Sequence, residues 1–314
     1  MQLKDISYYK TGGSVERLYV PSSLEELALF IKEIHDDEIP FFLLGAGSNS
    51  LVMDDHWPGA VITFNNMNSL KIVGSKVVAQ AGVENTRFSE ACLESCLSGA
   101  AWMYYLPGKI GPTVRMNARC YGGEISQIVE SVTSVTRAGD IKTYAGAEVF
   151  NGYKDTIFTK NDEVAAEVSF SLEKGEHSTI RKQMDLCKTD RRNKKQFLYP
   201  SCGCVFKNDY RIGIPSSLLL DSAGVRQLST DVVEISPYHA NFLYNKGASA
   251  RDILSTALDM RDLTYKRFGV WLEFEMELLG MVPDDLKKRC DEVKTPNYNT
   301  KELEFLRRAF LAAT

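Results

Sequence analysis

The sequence lacks the features that mark a membrane or secreted protein. Its 314 residues contain no apolar run of about 18 residues, the length that a membrane-crossing helix requires. The first residues have no long apolar core of the kind found in signal peptides. Seven cysteines in a chain of this length do not make a disulfide framework. We therefore expect a cytoplasmic protein.

The sequence also lacks an excess of positive charge, and it has few histidines. The formal net charge of −4 argues against broad binding to nucleic acid, which requires a positive field. The chain holds only four histidines, so the closely spaced Cys202 and Cys204 are not expected to bind a metal. The 44% hydrophobic fraction is ordinary for a globular protein with a buried core, and the length suits two domains or three small ones.

The pattern of apolar residues and turn signals predicts a mixed α+β fold. Ser23 and Glu26 form a capping box at the start of a helix. Gly139 lies in a turn between two β-rich segments, which predicts a hairpin. Cys92 and Cys96 are four residues apart and are predicted to be core residues on one helical face. The other predicted elements are helices at residues 86–98 and 250–268, strands at 41–44, 164–172 and 271–279, and one amphipathic helix in the charged tail after Pro283.

A glycine-rich loop follows the predicted strand at residues 41–44. Its sequence is Gly-Ala-Gly-Ser-Asn-Ser at residues 45–50, and the chain then continues as a strand. Glycines let the backbone approach a ligand closely, and successive N–H groups can converge on an anion. The strand after the loop distinguishes it from a Rossmann fingerprint, which opens a helix. Taken alone, the loop fits an anion site and a plain tight turn equally well.

A second glycine-rich segment spans residues 106–124. It combines four glycines and two prolines with apolar side chains such as Ile110, Val114 and Met116. A surface loop has no need of these apolar side chains. A buried, irregular backbone that wraps a flat ligand does need them, because its polar groups can bond to that ligand.

These two segments and three later motifs, in this order, resemble the UDP-N-acetylenolpyruvoylglucosamine reductases (the MurB family), in the shorter of their two subtypes. The later motifs are Gly-Tyr-Lys-Asp-Thr-Ile-Phe at 152–158, Pro-Ser-Cys-Gly-Cys-Val-Phe-Lys-Asn at 200–208 and Trp-Leu-Glu-Phe-Glu at 271–275. A weaker match is Tyr-His-Ala-Asn-Phe at 238–242. The resemblance extends from about residue 10 to residue 280.

The resemblance implies a two-part FAD-binding domain of the vanillyl-alcohol-oxidase/PCMH type and a smaller α+β substrate-binding domain. On this basis we predict FAD-binding subdomain 1 at residues 1–68 with the late strand near 271–280, subdomain 2 at 69–195, the substrate-binding domain at 196–270 and a tail at 281–314. It also implies that NADPH reduces FAD and that the flavin N5 hydride reduces the enolpyruvyl group of a UDP-sugar. The product would be UDP-N-acetylmuramate, a peptidoglycan precursor. The expected partners are this UDP-sugar and NADPH.

Three residues are implied to be catalytic. Hydride addition to an enol ether conjugated with a carboxylate builds negative charge, so the site needs a cation and an acid. Cys204 stands where the family has a proton-donating serine, and a thiol with an ordinary pKa of about 8.5 is a stronger acid than an alcohol. Glu275 matches the catalytic glutamate. Lys154 replaces an arginine and loses its planar, two-pronged geometry. Glu277 also departs from the family, which usually has an arginine there.

The same resemblance implies the residues that bind FAD and substrate. FAD is expected at Gly45, Ala46, Gly47, Ser48, Asn49, Ser50, Leu106, Pro107, Gly108, Gly111, Asn117, Ala118, Tyr121 and Gly122. The substrate is expected at Lys195, Asn208, Arg226 and His239.

Other interpretations remain open at this point. Cys204 could simply pack, Glu275 could be an ordinary strand carboxylate, and Lys154 could be a surface lysine in a turn. The basic run at residues 188–195 could be a solvated helix face. Two other functions also fit the sequence: a flavin oxidase that acts on another alcohol or sugar, and a non-catalytic homologue that binds a nucleotide sugar or a partner.

Overall fold

Helices and strands alternate along residues 1–313, the part of the chain that this computed structural model describes. The helices are α1 Leu24–Asp36, α2 Asn85–Glu94, α3 Ile110–Arg115, α4 Gly146–Val149, α5 His177–Asn193, α6 Ser216–Ala223, α7 Ala250–Phe268, α8 Asp284–Asp291 and α9 Thr300–Ala313. The strands are β1 Val15–Tyr19, β2 Phe41–Leu44, β3 Ser50–Val52, β4 Trp57–Thr63, β5 Leu70–Val73, β6 Lys76–Gln80, β7 Leu97–Ser98, β8 Arg119–Cys120, β9 Gly123–Glu124, β10 Val129–Val135, β11 Ile141–Ala145, β12 Phe150–Gly152, β13 Asp155–Thr156, β14 Val164–Ser171, β15 Glu173–Lys174, β16 Val233–Ile235, β17 Leu243–Asn245 and β18 Glu277–Leu279. The predicted α+β class is confirmed.

The chain divides into two units by its internal contacts. The first unit comprises residues 15–46 and 58–193, and the second unit comprises residues 1–14, 47–57 and 194–314. Two early segments, residues 1–14 and 47–57, group with the later part of the chain, and the subdomain boundaries at residues 68 and 270 stay a prediction. No helix within residues 1–313 has both the length and the apolarity to cross a membrane.

The first unit is built on a five-stranded antiparallel sheet with the strand order β11-β10-β14-β6-β5. The predicted hairpin is present as β10 and β11, and Gly139 in its turn has a φ of +87°. Phe88 of α2 packs against Phe170 of β14, with ring centroids 4.5 Å apart. A smaller sheet, β1-β4-β2, is covered by the buried face of α1. Ser23 caps α1 as predicted, because its Oγ accepts the Glu26 N–H at 3.1 Å.

The predicted helix over residues 86–98 is too long. Helix α2 ends at Glu94, and Cys96 adopts a φ of +52°, which a helix does not allow. Leu97 and Ser98 then pair with β15 as the short strand β7. Cys92 is buried as expected, but Cys96 lies beyond the helix, so the prediction that both share one helical face is wrong.

The second unit is organised around helix α7, whose ends were predicted well. Ser249 and Asp252 form a capping box at its start, and Gly269 ends it with a φ of +65°. The strand predicted at residues 271–279 is regular only in β18, which runs parallel to β3. Before β18, the main-chain N–H groups of Glu275 and Met276 both donate to the carbonyl of Val205, at 2.8 and 3.2 Å. This shared acceptor breaks the regular ladder of a strand.

The tail carries two helices, α8 and α9, where one was predicted. Arg289 of α8 forms ion pairs with Asp259 and Asp262 of α7, at 2.8 and 2.7 Å. Leu303 of α9 is 6% exposed and belongs to the core of the second unit. The segment between the helices meets the end of α7 through its main chain, because the Asn297 N–H donates to the Gly269 carbonyl at 2.9 Å.

Gly269 permits this docking of the tail. A comparison of glycine replacements at two helix ends should separate the cost of backbone strain from the cost of displacing the tail. A Cβ on Gly269 would lie 1.6 Å from the Asn297 carbonyl oxygen, so the tail would have to move. Gly224, which ends α6 with a φ of +81°, has no atom of residues 1–313 within 4 Å of such a Cβ. Gly224→Ala should therefore cost only the left-handed backbone strain, about 1 kcal/mol. Gly269→Ala should cost at least about 3 kcal/mol, because the burial of Leu303 is lost as well.

Urea unfolding of the two variants beside the wild type measures both costs. Equal losses of unfolding free energy for Gly224→Ala and Gly269→Ala would show that the tail does not depend on this contact.

Candidate active site

In the second unit, Cys204 lies on a segment that a buried asparagine fixes in place. Cys204 forms an isolated antiparallel bridge with Phe242, and the Val205 N–H donates to the Asn241 carbonyl at 2.9 Å. The Asn241 side chain holds the next residue at both main-chain groups: its Oδ1 accepts the Phe206 N–H at 2.9 Å, and its Nδ2 donates to the Phe206 carbonyl at 2.8 Å. Asn241 is 2% exposed, so these bonds are sheltered from water.

The opposite edge of the same segment holds Glu275. Its N–H donates to the Val205 carbonyl, and the rings of Phe206 and Phe274 stack with centroids 5.1 Å apart. Burial raises the pKa of Cys202, and the neighbouring charges of Cys204 and Glu275 add to this rise. Cys204 and Glu275 are both half-buried. The fold thus brings together a thiol and a carboxyl group that are far apart in the sequence.

Asn49 links the glycine-rich loop to Glu275. Its Nδ2 donates to the Glu275 carbonyl at 3.0 Å, and its own carbonyl accepts the Glu277 N–H at 2.9 Å. The second bond belongs to the first pair of the β3–β18 ladder, Ser50 with Glu277, and the side-chain bond adds a contact just before it. The predicted strand–loop–strand arrangement around this loop is confirmed.

Gly47 is a loop position whose backbone conformation favours glycine. Its φ is +65°, and a Cβ there would lie 3.1 Å from the Ser7 Oγ and the Tyr8 nitrogen. The main-chain N–H group of Gly47 makes no hydrogen bond to any of residues 1–313. The buried Ser7 hydroxyl also has no partner in this part of the chain. Donors of this kind suit a phosphate. Ser7 was missed, because no motif surrounds it.

In the first unit, residues 106–124 are less irregular than predicted, because they contain the short helix α3. The N–H groups of Ile110 and Gly111 donate to the carbonyls of Val83 and Ala81, at 2.9 and 3.0 Å. A Cβ on Gly111 would lie 2.6 Å from the Ala81 Cβ, so this glycine serves close packing. Gly45 is packed in the same way, since its Cβ would lie 2.6 Å from the Pro112 Cγ.

Asn117 is the central polar residue of this segment. It is 1% exposed and has a φ of +42°. Its Nδ2 donates to the Glu124 Oε1 at 2.7 Å and to the Gly152 carbonyl at 2.8 Å. The second bond ties the segment to the turn that carries Lys154, which is half-buried with a φ of +57°. The structure thus joins two of the predicted motifs in one unit.

Two buried amide atoms of the first unit have unmet hydrogen-bonding capacity. The Asn117 Oδ1 and the Asn85 Nδ2 find no partner among residues 1–313, although Thr113 donates to the Asn85 Oδ1 at 3.0 Å. Buried polar atoms are normally satisfied, so this acceptor and this donor fit a ligand with both kinds of group on its edge. The isoalloxazine ring of FAD has such edges. Asn85 was missed, since a single buried asparagine carries no sequence pattern.

The other predicted FAD residues differ in their surroundings. Tyr121 is 43% exposed, and its hydroxyl donates to Asp190 at 2.7 Å. Burial of the hydroxyl and this hydrogen bond raise the pKa of Tyr121. The Gly108 carbonyl accepts the Asn85 N–H at 3.1 Å. Leu106 and Pro107 are half-buried, Ala118 is buried and Gly122 is exposed.

The four predicted substrate residues all belong to the second unit. The Asn208 Oδ1 accepts the Ser216 N–H at 2.9 Å, so the amide NH₂ is the group that Asn208 can offer to a ligand. The His239 ring stacks on Phe242 at 4.1 Å, which places it near Cys204. Lys195 is exposed. Arg226 forms an ion pair with Asp221 at 3.1 Å.

Two families of known domains match this chain. Residues 15–145 match the family described as the FAD binding domain. Residues 194–279 match the C-terminal domain of UDP-N-acetylenolpyruvoylglucosamine reductase. The matches cover, respectively, the segments that contain Asn117 and those that contain Cys204 and Glu275.

Curated proteins and a solved structure agree with these matches. The chain is 34% identical to a UDP-N-acetylenolpyruvoylglucosamine reductase from Clostridium novyi, over 88% of this chain and 90% of the relative. It is also 34% identical to one from Lactobacillus delbrueckii subsp. bulgaricus, over 88% and 93%. The crystal structure of UDP-N-acetylenolpyruvylglucosamine reductase from Thermus caldophilus is similar with a TM-score of 0.75 and 26% identity, covering 89% of this chain and 97% of that one.

The role of Asn117 in holding FAD can be tested with a substitution of similar size. Asn117→Asp places a carboxylate 2.7 Å from the Glu124 Oε1, in a buried position. Two like charges there are unfavourable, and one donor is lost, so FAD affinity should fall at least about tenfold. Asn193→Asp makes the same chemical change at an exposed position and should have no effect.

Absorbance of the purified variants and titration of the apoproteins with FAD give the affinities. Wild-type FAD affinity in Asn117→Asp would remove Asn117 from the cofactor site.

Proposed function

Because this chain belongs to the UDP-N-acetylenolpyruvoylglucosamine reductase family, we propose that it reduces the enolpyruvyl group of UDP-N-acetylglucosamine enolpyruvate with electrons from NADPH. The product is UDP-N-acetylmuramate. The observation that carries this proposal is that Cys204 and Glu275 are held at one buried segment. The Val205 N–H, next to Cys204, bonds to the Asn241 carbonyl, and the Val205 carbonyl accepts the Glu275 N–H on the other side. An acid and a carboxyl group held in this way suit the protonation of a carbon atom beside a carboxylate.

The chain offers FAD two sets of polar groups. The N–H group of Gly47 and the hydroxyl of Ser7 suit the diphosphate. The amides of Asn85 and Asn117 suit the polar edge of the ring. When bound, FAD supplies the hydride that adds to the double bond of the substrate.

Cys204 is proposed to supply the proton. Hydride addition at one carbon of the double bond leaves negative charge on the other carbon and its carboxylate. The S–H bond of Cys204 breaks and a C–H bond forms at that carbon, so the thiolate that remains must regain a proton from solvent. A thiol carries a proton that it can transfer to carbon, which is the role that Cys204 has in this step.

Glu275 and Lys154 are proposed to act on the substrate carboxylate. A carboxyl group near another anion binds it only when protonated or through a water molecule, so Glu275 works as a hydrogen-bond donor or as part of a relay. Lys154 contributes a point charge that opposes the developing negative charge.

The remaining contacts are proposed to hold the UDP-sugar. Lys195 is assigned to the diphosphate, because an exposed ammonium group serves as a point charge. Asn208 offers its amide NH₂, and Arg226 and His239 are assigned to the same ligand. The proposed setting is the cytoplasm.

The role of Cys204 predicts a separation between two half-reactions. Cys204→Ala should still allow NADPH to bleach the flavin, but reoxidation by the UDP-sugar should slow by about 10² to 10⁴, the usual contribution of a general acid. Cys204→Ser should retain turnover, because a hydroxyl keeps a transferable proton. Cys202→Ala serves as the matched control, since Cys202 is 3% exposed and holds no assigned role.

Anaerobic stopped-flow absorbance of the flavin follows both half-reactions. Wild-type reoxidation in Cys204→Ala would exclude Cys204 as the proton donor. A wild-type flavin that the UDP-sugar fails to reoxidise would contradict the proposed function itself, and rapid oxygen uptake with an alcohol would indicate an oxidase instead.

A further inference from the structure

The substrate residue Asn208 begins a loop that is closed by two hydrogen bonds at its neck. We call residues 208–216 the Asn208 loop. The Ser216 N–H donates to the Asn208 Oδ1 at 2.9 Å, and the Ser216 Oγ donates to the Lys207 carbonyl at 2.5 Å. Ile212 and Ile214 are buried, whereas Tyr210 is 57% exposed. The loop is therefore anchored at its neck and at one apolar side.

The tail supplies a further anchor at the middle of the Asn208 loop. The Arg307 Nη2 of α9 donates to the Ile212 carbonyl at 2.6 Å. The next residue, Gly213, has a φ of +69°, and a Cβ on it would lie 3.6 Å from the Arg307 Nε. The guanidinium thus lies in van der Waals reach of the loop backbone.

Helix α9 is itself held firmly enough to act as a support. Its residue Leu303 is part of the core, and Glu302 forms an ion pair with Arg267 of α7 at 2.9 Å. The Asn299 N–H, just before α9, donates to the Phe268 carbonyl at 3.0 Å. Arg307 therefore reaches the loop from a helix that is fixed to α7.

We infer that Arg307 is a positioning residue that holds the Asn208 loop in the conformation that binds the UDP-sugar. This inference rests on the proposed function, which assigns Asn208 to that ligand. The matched C-terminal domain ends at residue 279, so the tail adds a support from outside the matched region. Arg307 acts through the loop backbone and is assigned no contact with reacting atoms.

The physical basis is the population of the binding conformation. A hydrogen bond from a guanidinium to a carbonyl is stronger than one between neutral groups. Without this bond, the loop spends part of its time in other conformations. The apparent affinity for the UDP-sugar then falls in proportion to the fraction of molecules whose loop keeps the binding conformation. The chemical step should be unaffected, so KM should change and kcat should not.

The neighbouring arginine provides a matched control. Arg308 is exposed and carries the same charge on the same helix. Arg308→Ala removes one positive charge without touching the loop. Arg307→Lys keeps the charge and a donor, so it should preserve most of the effect.

The experiment compares these three replacements, Arg307→Ala, Arg307→Lys and Arg308→Ala, in the full-length FAD-loaded protein. Arg307→Ala should raise KM for the UDP-sugar about fivefold with unchanged kcat and FAD content. Hydrogen exchange should become faster at the amides of residues 209–214. Arg308→Ala should match the wild type, and Arg307→Lys should stay within about twofold of the wild-type KM.

Several results would overturn the inference. These are an unchanged KM or unchanged loop exchange in Arg307→Ala, an equal effect of Arg308→Ala, and a full loss of the effect in Arg307→Lys. If the wild-type protein does not turn over the UDP-sugar, the proposed function fails. Loop exchange in Arg307→Ala then still decides whether the tail positions the loop.

Discussion

The main chain of Val205 is the constraint on which the proposed catalytic pair depends. Its N–H is held by Asn241, while its carbonyl accepts the N–H groups of both Glu275 and Met276. Val205 is fully buried, so water cannot replace the partners of these groups, and breaking one of the bonds would lower the free energy of unfolding. Because Cys204 directly precedes Val205, the main chain at Cys204 and at Glu275 is held by backbone bonds that do not depend on the side chains of these two residues. The chemistry of the pair can therefore vary, serine to cysteine for instance, without changing the frame.

The first unit differs, because some of its buried polar atoms lack hydrogen-bond partners in the described part of the chain. There, an acceptor on Asn117 and a donor on Asn85 are buried without a hydrogen-bond partner among residues 1–313. Such atoms weaken the unliganded fold and strengthen it when a ligand meets them. The packing of Gly111 on Ala81 and of Gly45 on Pro112 shows that glycines in the two loops serve the protein interior as well as ligand approach. One glycine-rich sequence can thus carry both roles.

The sequence predicts the parts of this structure whose causes are local. Ser23, Ser249 and Gly269 mark helix ends through bonds to their own neighbours, and these ends are where we expected them. Strand β7 and the irregular segment before β18 depend on partners more than 60 residues away, which no local pattern reveals. Single buried polar residues such as Ser7 and Asn85 give no periodic signal either. The proposed roles of Cys204 and Glu275 rest on family resemblance, and the structure adds the main-chain bonds of Val205 that lie between these two residues.

The closest contacts between the end of α7 and the tail are made by main-chain atoms. The peptide groups of residues 268, 269, 297 and 299 form them, and the Asn299 side chain adds a weaker bond, because its Nδ2 donates to the Arg267 carbonyl at 3.4 Å. Relatives could carry tails with little sequence likeness to this one and still attach them to the same helix end. A glycine that terminates this helix, together with a chain that runs some 40 residues further, would be a better guide to such tails than any sequence motif within them.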